Sequence, residues 1–295
     1  MQVRLSHSSL LTLHSCERKF QLDKLLVTDV EKEESEHFSF GHAFGAGVAT
    51  YLVTQDANAA IFEAWLAYWP EIETDKKNVA RCIAALEVAF PRLDTILIDY
   101  EIAHFNGAPA VELSFKVTTD EDFYFVGHID AVLRNRYTGQ YIVFECKSSG
   151  LQLYDLSPLY QNSGQALGYS IALDKIAGKE LSSYGVIYFV VQLAKDFVPK
   201  IQVFEWTKTL SDRLNWFISL SLDIKHLVEM RELNVYPKRG ESCLTFNRPC
   251  KHFSTCTLHS ADRLKEEEID EIQYQFTYSL NDLIEDHVRR VTTIL

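Results

Sequence analysis

The sequence lacks long apolar runs, secretion signals and internal repeats. No stretch of 18 apolar residues occurs, and no basic start with a small-residue cleavage site marks a signal peptide. Low-complexity tracts are missing as well. These features favour a cytoplasmic globular protein with no membrane partner. A chain of 295 residues can bury a large core as one domain, or as one domain with a helical insertion.

Positive charge is also in short supply. Lys and Arg number 29 against 41 Asp and Glu, which gives a net charge of −12. Nonspecific affinity for nucleic acid comes largely from Lys and Arg that neutralise phosphates, so the composition argues against a broad electrostatic DNA-binding surface. Much of the excess acid lies in 29–36 and 266–271, which are predicted to be solvated faces. A local basic groove or a bound metal ion could still supply positive charge.

Cysteine is scarce, with six in the chain. Cys82 and Cys146 are predicted to be core residues. The other four lie near the two ends: Cys16, Cys243, Cys250 and Cys256. Without a secretion signal, such cysteines favour metal ligands or free thiols over disulfides. Four thiolates suit an iron–sulfur cluster or a tetrahedral zinc ion, with His252 or His259 as an alternative zinc ligand. Ordinary buried thiols remain open too.

Apolar periodicity predicts helices first and strands after about residue 98. The order is helices, three strands, a helix, two strands and a helix, which predicts an α/β fold with a mixed central sheet flanked by helices. The predicted segments are N-terminal helices with the first cysteine (1–30), a helical region (31–97), a core (98–210), a helix with the cysteine triplet (211–260) and an acidic helical tail (261–295).

The stretch VGHIDAVLRNRYTGQYIVFECKSS, residues 126–149, is typical of a β-hairpin. Its midpoint between Asp130 and Glu145 is the 137/138 boundary, so a reversal there places the two carboxylates opposite each other. Directly opposed residues have Cβ atoms roughly 5 Å apart, and like charges there are destabilising unless a cation lies between them. The pattern therefore predicts a divalent metal site.

Lys147 adds a base to this acidic pair. Glu145 and Lys147 are two residues apart and project to the same side of a strand, while Cys146 points into the apolar layer. Two carboxylates suit Mg²⁺ or Mn²⁺, which leaves positions for water and phosphate. The ammonium can orient or deprotonate the attacking water, or stabilise charge on phosphorus. The site predicts phosphodiester hydrolysis; a surface hairpin with alternating charges is the alternative.

Further polar residues are candidates for the same site. Gln165 and Tyr169 are four residues apart in a predicted helix and share one face. Glu112 lies in the apolar run VELSFKV, either as an edge-facing charge or as a third acidic group. His128 is set opposite Lys147 by the predicted register and is otherwise a surface or core histidine.

These motifs resemble those of a known family. Asp130 with Glu145-Cys146-Lys147 (GHID and ECK) resembles the PD-(D/E)XK nuclease superfamily, and Gln165-x-x-x-Tyr169 resembles its RecB-like exonuclease branch. The resemblance implies a restriction-endonuclease-like core and a metal-dependent exonuclease acting on DNA ends or single strands in recombination, repair or phage DNA metabolism. It implies metal binding by the two carboxylates and the Cys146 carbonyl, water positioning by Lys147, and substrate or lysine positioning by Gln165 and Tyr169.

The cysteines, one before the core and three after it, resemble the iron–sulfur clasp of AddB-type helicase–nucleases and CRISPR-associated RecB-like exonucleases. That resemblance implies a structural [4Fe–4S] cluster joining the chain ends, with structural Zn²⁺ as the alternative. It also implies a recombination, replication or CRISPR adaptation partner. The branch usually carries a metal-binding histidine four residues after a glycine, but here Gly41 is followed by Gly45, and His42 is the nearby candidate. A catalytically silent DNA-binding or assembly subunit is the rival interpretation.

Overall fold

The structure is a computed structural model. It describes residues 3–27, 36–69, 74–75, 77–118, 122–150, 157–178, 183–193, 198–245, 248–254, 256, 265–266 and 276–279. His259 and most of the predicted helical tail lie outside the described residues.

Eight α-helices are described. They are α1 (His7–Ser15), α2 (Glu17–Phe20), α3 (Glu36–Thr54), α4 (Ala57–Ala67), α5 (Val79–Asp99), α6 (Ser157–Gln161), α7 (Gln165–Ala177) and α8 (Leu210–Leu233), with a π-helical segment Gln21–Leu25 and a 3₁₀ turn Gly240–Cys243. The caps are polar, as helix starts require: Asp56 accepts hydrogen bonds from the first amides of α4, and Asn78 does so for α5. Within the described residues, no helix is long and apolar enough to span a bilayer.

The described strands are mostly short at the ends of the chain and long in its middle. They are β1 (Val3–Leu5), β2 (Leu26–Val27), β3 (Tyr100–Ile102), β4 (His104–Phe105), β5 (Ala108–Pro109), β6 (Val111–Thr118), β7 (Phe123–Asn135), β8 (Tyr141–Ser149), β9 (Ser183–Gln192), β10 (Lys200–Thr209), β11 (Leu244–Thr245), β12 (Arg248–Pro249), β13 (Lys265–Glu266) and β14 (Phe276–Ser279).

Residue contacts divide the chain into two units. The first unit comprises Met1–Lys32, Ser114–Gly127 and Leu214–Leu295. The second unit comprises Glu33–Leu113 and His128–Arg213.

A mixed sheet forms the centre of the second unit. β10 and β9 pair antiparallel along their length, β9 and β8 pair parallel, and β8 pairs antiparallel with β7. β3 joins the C-terminal end of β7, also antiparallel. Parallel neighbours need a crossover connection, and α6 and α7 lie in the connection between β8 and β9. The predicted α/β fold with a mixed central sheet flanked by helices is confirmed.

Helices cover both faces of this sheet. On one face, α3, α4 and α5 share an apolar cluster with Phe144 of β8 and Phe189 of β9. On the other face, Tyr160 of α6 stacks on Tyr188 of β9, with ring centroids 4.8 Å apart. Because neighbouring residues of a strand point to opposite faces, β8 buries Phe144 in the apolar cluster and turns Glu145 away from it.

The hairpin between β7 and β8 has the predicted register. Leu133 pairs with Ile142 and Ala131 with Phe144, so continuing the ladder by one pair sets Asp130 opposite Glu145. The turn is built from local hydrogen bonds: the Asn135 side chain accepts from the amides of residues 137 and 138. Gly139 has φ +68°, a left-handed conformation that glycine adopts without steric cost.

The first unit combines short strands with α1, α2 and the C-terminal part of α8. β1 pairs parallel with the start of β7, from Val3–Phe123 to Leu5–Phe125, and β14 pairs parallel with β6. Trp216 of α8 meets Phe125 edge to face, with ring centroids 5.2 Å apart. A 2.9 Å contact between His14 Nε2 and the Asp223 carboxylate joins α1 to α8.

Two local details add to the sequence-based expectations. Residues 3–5 of the predicted helical start form β1, and α1 begins after Ser6, which forms a reciprocal capping box with Ser9. The predicted helix that carries Gln165 and Tyr169 is α7, which begins at Gln165, while the preceding α6 ends at Gln161.

Candidate active site

The two predicted acidic residues of the hairpin lie on one side of the sheet in the second unit. The Asp130 carboxylate accepts a 2.7 Å hydrogen bond from the backbone amide of Cys146, so Asp130 is held against β8. Glu145 is almost completely buried, at 1% exposure. Its Oε1 accepts hydrogen bonds of 2.5 Å from Lys147 and 2.7 Å from Gln165. Its Oε2 is buried with no hydrogen-bond partner among the described residues.

Lys147 lies beside Glu145 as strand alternation predicts. Its ammonium forms an ion pair with the Glu145 carboxylate, and its side chain is 32% exposed. Burial disfavours the charged form, but the carboxylates of Glu145 and Asp130 outweigh that cost and raise the pKa of Lys147. Lys147 is therefore a fixed positive charge at this site near neutral pH.

Gln165 and Tyr169 of α7 are linked to each other and to Glu145 by hydrogen bonds. The Gln165 amide donates to Glu145 and to the Tyr169 hydroxyl, the latter at 2.8 Å. Tyr169 is buried, and burial raises its pKa well above the usual value, so the phenol stays protonated. The pair acts on the site through Glu145, whose side-chain position it restricts.

Glu112 is the third acidic residue of the site. It stands near the start of β6 with φ +48°, a conformation that is uncommon for a residue with a side chain. Although Glu112 is exposed on one side, partial desolvation and the nearby Asp130 carboxylate raise its pKa to about 7. Backbone strain of this kind costs of order 1–3 kcal/mol and often accompanies functional sites.

A cavity of about 400 Å³, called the site cavity below, connects these residues. Its lining residues are Gly41, His42, Phe44, Gly45, Glu112, Asp130, Glu145, Cys146, Lys147, Ser148 and Gln165. The structure thus brings the predicted metal and catalytic residues to one cavity, with Tyr169 behind Gln165. His42 lies on its wall, where its ring contacts Trp69 at a centroid distance of 6.4 Å.

Electrostatics favour a cation in the site cavity. Burial raises the pKa of Glu145 to about 8, and the neighbouring Asp130 carboxylate adds to the shift. Burial also raises the pKa of Asp130, although Lys147 opposes it. A positive charge placed among carboxylates with raised pKa values stabilises them, whether it is a proton or a metal ion.

The donor set fits a hard divalent cation. Glu112, Asp130 and Glu145 provide carboxylate oxygens, and the partnerless Oε2 of Glu145 is a buried acceptor that a cation would satisfy. As the side chains stand, no three His, Cys, Asp or Glu residues in the described part of the chain enclose a metal ion. Here Lys147 forms a direct ion pair with the Glu145 carboxylate.

Sequence reasoning missed two aromatic neighbours of the site. Tyr188 of β9 is the register partner of Glu145, and Tyr160 stacks on it. Burial raises the pKa of Tyr188 to about 12. Strand alternation gives the face of each residue, but no signal in the sequence gives the register between parallel strands that a long connection separates. Trp69, which contacts His42, is a third aromatic residue that the sequence did not indicate, because a packing contact between distant segments leaves no local pattern.

The four predicted cluster cysteines all lie in the first unit. Cys16 is buried, and the other three are half-buried free thiols. Their neighbourhoods are linked: Ser242 donates to the Ser15 carbonyl at 2.5 Å, and Arg18 donates to the Cys256 carbonyl at 3.4 Å. The Cys250 amide donates to the Cys243 carbonyl at 2.8 Å. Segments around the first cysteine and the later triplet are therefore adjacent.

His252, the alternative zinc ligand, lies in the same loop as Cys250 and Cys256. It is buried, and its Nε2 is 2.8 Å from Asp23. Asp23 also contacts Lys19 and Lys251, and although burial acts against it, these donors lower the pKa of the Asp23 carboxyl. His252 is thereby anchored to the π-helical segment.

Comparison with known proteins identifies the family. Residues 4–274 match the model of the PD-(D/E)XK nuclease superfamily. No curated protein matches the sequence significantly. A crystal structure of a candidate exonuclease from Eubacterium rectale is 14% identical, with a TM-score of 0.47, over 81% of this chain and 85% of that one. The structure of SSO0001 is 16% identical, with a TM-score of 0.29, over 75% and 85%. Both likenesses are too distant to bear on activity.

The family match covers most of the chain, and the mixed sheet with helices on both faces is consistent with a restriction-endonuclease-like core. The chain therefore belongs to the PD-(D/E)XK nuclease superfamily.

Proposed function

We propose that this protein is a Mg²⁺- or Mn²⁺-dependent deoxyribonuclease, an exonuclease that acts on DNA ends or single strands. The observation that carries the proposal is the convergence of Glu112, Asp130, Glu145 and Lys147 on one cavity. Three carboxylates and one ammonium are the groups that metal-assisted phosphodiester hydrolysis needs. Family membership supports the same chemistry.

The carboxylates of Asp130 and Glu145 would hold the cation, with Glu112, the Cys146 carbonyl and His42 as further ligands. A divalent cation held there supplies Lewis-acid chemistry, because it neutralises charge on the phosphate and makes water a better nucleophile. Glu112 and Glu145 bind protons near neutral pH, so cation binding would release them.

Hydrolysis adds water to phosphorus and breaks one P–O ester bond, which leaves a phosphate monoester and a hydroxyl. Lys147 would orient the attacking water and stabilise the negative charge that develops on phosphorus. Gln165 and Tyr169 would hold Glu145 in position through the hydrogen bonds already described, and the Gln165 amide also reaches the wall of the cavity.

Labelled single- and double-stranded DNA incubated with the purified protein and Mn²⁺ or Mg²⁺ tests this function. We expect time-dependent degradation that EDTA stops and Lys147→Ala abolishes. Product lengths separate stepwise removal of nucleotides from internal cutting. Degradation that persists in EDTA, or a fully active Lys147→Ala protein, would refute the assignment.

The rival function is a catalytically silent DNA-binding or assembly subunit. The net charge of −12 and the glycine at position 45, where the branch carries a histidine, favour it. The same incubation distinguishes the two functions: a protein that binds DNA but degrades none under any metal condition is the silent subunit. Association with a recombination, replication or CRISPR adaptation protein is compatible with either function.

The cysteines are proposed to bind a structural [4Fe–4S] cluster. The hydrogen bonds that join the segments around Cys16 and the triplet support a clasp between distant parts of the chain. A brown, anaerobically purified protein with iron and sulfide supports the cluster; one equivalent of zinc without iron selects the alternative.

A further inference from the structure

Trp69 lies behind His42 of the cavity wall and has no part in the chemistry proposed above. Its ring contacts His42, with centroids 6.4 Å apart and planes tilted by 42°. His42 is exposed and forms part of the cavity wall. The indole therefore lies one side chain away from the space in which the carboxylates meet.

The fold sets the position of this indole. The Trp69 amide donates a 3.0 Å hydrogen bond to the Ser39 hydroxyl, and Ser39 is fully buried on α3, one turn before His42. The preceding residue, Tyr68, is also buried. The backbone of Trp69 is thus fixed to α3, the helix that also carries His42, so the contact between the two rings is part of the fold.

The side chains of this cavity can contribute little affinity by neutralising phosphates. Among its described lining residues, Lys147 is the only Lys or Arg, against the three carboxylates Glu112, Asp130 and Glu145. A nucleic acid bound here needs another source of binding energy. Stacking of bases on aromatic side chains is such a source, and it tolerates any base sequence because every base has a π-face.

The part of α3 that lines the cavity carries few side chains besides His42. Gly41 and Gly45 flank His42 on the cavity wall. A Cβ at Gly45 would meet no heavy atom within 4 Å, and at Gly41 the nearest would be the Ser148 hydroxyl at 3.9 Å. The absence of side chains leaves room beside His42 for a nucleotide.

We propose that Trp69, with His42 at its edge, stacks an unpaired nucleobase of the nucleotide next to the cleaved phosphate. This subsite rests on the proposed nuclease function and names its substrate class, because a base can reach the indole only when it is unpaired. The protein then selects single-stranded DNA, or the unpaired end of a duplex. A base held at the rim positions the adjoining phosphate above the carboxylates.

Binding of an oligodeoxynucleotide that contains 2-aminopurine, with Ca²⁺ in place of Mn²⁺, tests the subsite without cleavage. The variants are Trp69→Ala, Trp69→Phe and the matched control Trp65→Ala, which removes an exposed indole on α4 whose ring stacks on Phe62. We expect Trp69→Ala to weaken binding about tenfold and to lose most of the aminopurine quenching. Trp69→Phe restores most of the affinity, and Trp65→Ala leaves it unchanged. Circular dichroism confirms that each variant is folded.

An oligonucleotide with an abasic position at the cleavage site provides the second measurement. The wild type should bind it about tenfold more weakly than the intact strand, while Trp69→Ala should show no such penalty. An abasic penalty that survives in Trp69→Ala, or equal binding by Trp69→Ala and Trp65→Ala, would overturn the subsite. If the wild type cleaves no DNA with Mn²⁺, the nuclease function fails, and the aminopurine result still decides the subsite.

Discussion

Gly45 offers a test of the site cavity that separates stability from activity. It lies in the interior of α3, and an added Cβ would meet nothing within 4 Å. Glycine inside a helix costs about 1 kcal/mol relative to alanine, because the unfolded chain has more backbone freedom to lose. We expect Gly45→Ala to raise the free energy of unfolding by about 1 kcal/mol and the melting temperature by about 2 °C. Chemical denaturation and a thermal melt measure these changes.

Gly47, two residues along the same helix, should behave in the opposite way. A Cβ there would lie 2.7 Å from Leu86 Cδ1 and 3.1 Å from the Ala60 carbonyl oxygen. Leu86 is fully buried, so relief requires a shift in the packing of α3 against α4 and α5. Overpacking costs roughly 1–3 kcal/mol, which exceeds the gain in helix propensity. Gly47→Ala should therefore lower the free energy of unfolding.

Gly45→Leu then tests function. Leucine is a good helix former, so the protein should stay as stable as the wild type while its side chain fills the site cavity beside Glu145. Displacing reacting groups by about 1 Å costs about 100-fold in rate, and we expect a loss of that size in DNA cleavage with Mn²⁺. Gly45→Ala is the matched control and should keep most activity. A stable Gly45→Leu protein with full activity would show that the reaction does not occur in this cavity.

Three further predictions concern charged residues. Lys147→Ala should reduce cleavage about 1,000-fold, because the ammonium that would stabilise charge on phosphorus is lost. The fold and any cluster colour should persist, because Glu145, whose pKa is raised to about 8, can bind a proton in place of the ion pair; rates and visible spectra check this. The raised pKa values of Glu112 and Glu145 mean that the folded protein binds extra protons. Metal-free protein should therefore lose stability as the pH rises from about 6 to 8, while its affinity for Mn²⁺ rises over the same range. Denaturation and calorimetry at both ends of this range test the two changes. Arg213→Met should destabilise by about 3–5 kcal/mol, since it leaves Asp174 buried without its ion-pair partner; urea unfolding that matches the wild type would contradict this.

The part of the site that depends on local sequence was predictable. The midpoint of the hairpin fixed the register that sets Asp130 opposite Glu145, because an antiparallel pair joined by a short turn has little freedom. Strand alternation placed Lys147 beside Glu145. The four-residue spacing of Gln165 and Tyr169 placed them on one helical face, where the structure joins them by a hydrogen bond.

The part that depends on contacts between distant segments was not predictable. Tyr188 meets Glu145 through a parallel register, and Trp69 meets His42 through a packing contact; neither leaves a local pattern. The position of Glu112 depends on a left-handed backbone at one residue of β6, which propensity does not favour for glutamate. Single-residue strain of this type is visible only once the surrounding structure is known.

The turn at the tip of the β7–β8 hairpin is a surface loop, yet it determines where Asp130 lies in the sheet. Its length determines which residues of β7 stand opposite those of β8, and successive side chains alternate between the two faces of the sheet. Adding or deleting one residue near Gly139 would either be absorbed as a local bulge or send Asp130 into the apolar cluster behind the sheet. Engineering that grafts tags or reporters onto this protein should leave that tip untouched, even though it is exposed and touches none of the residues proposed to carry out the reaction.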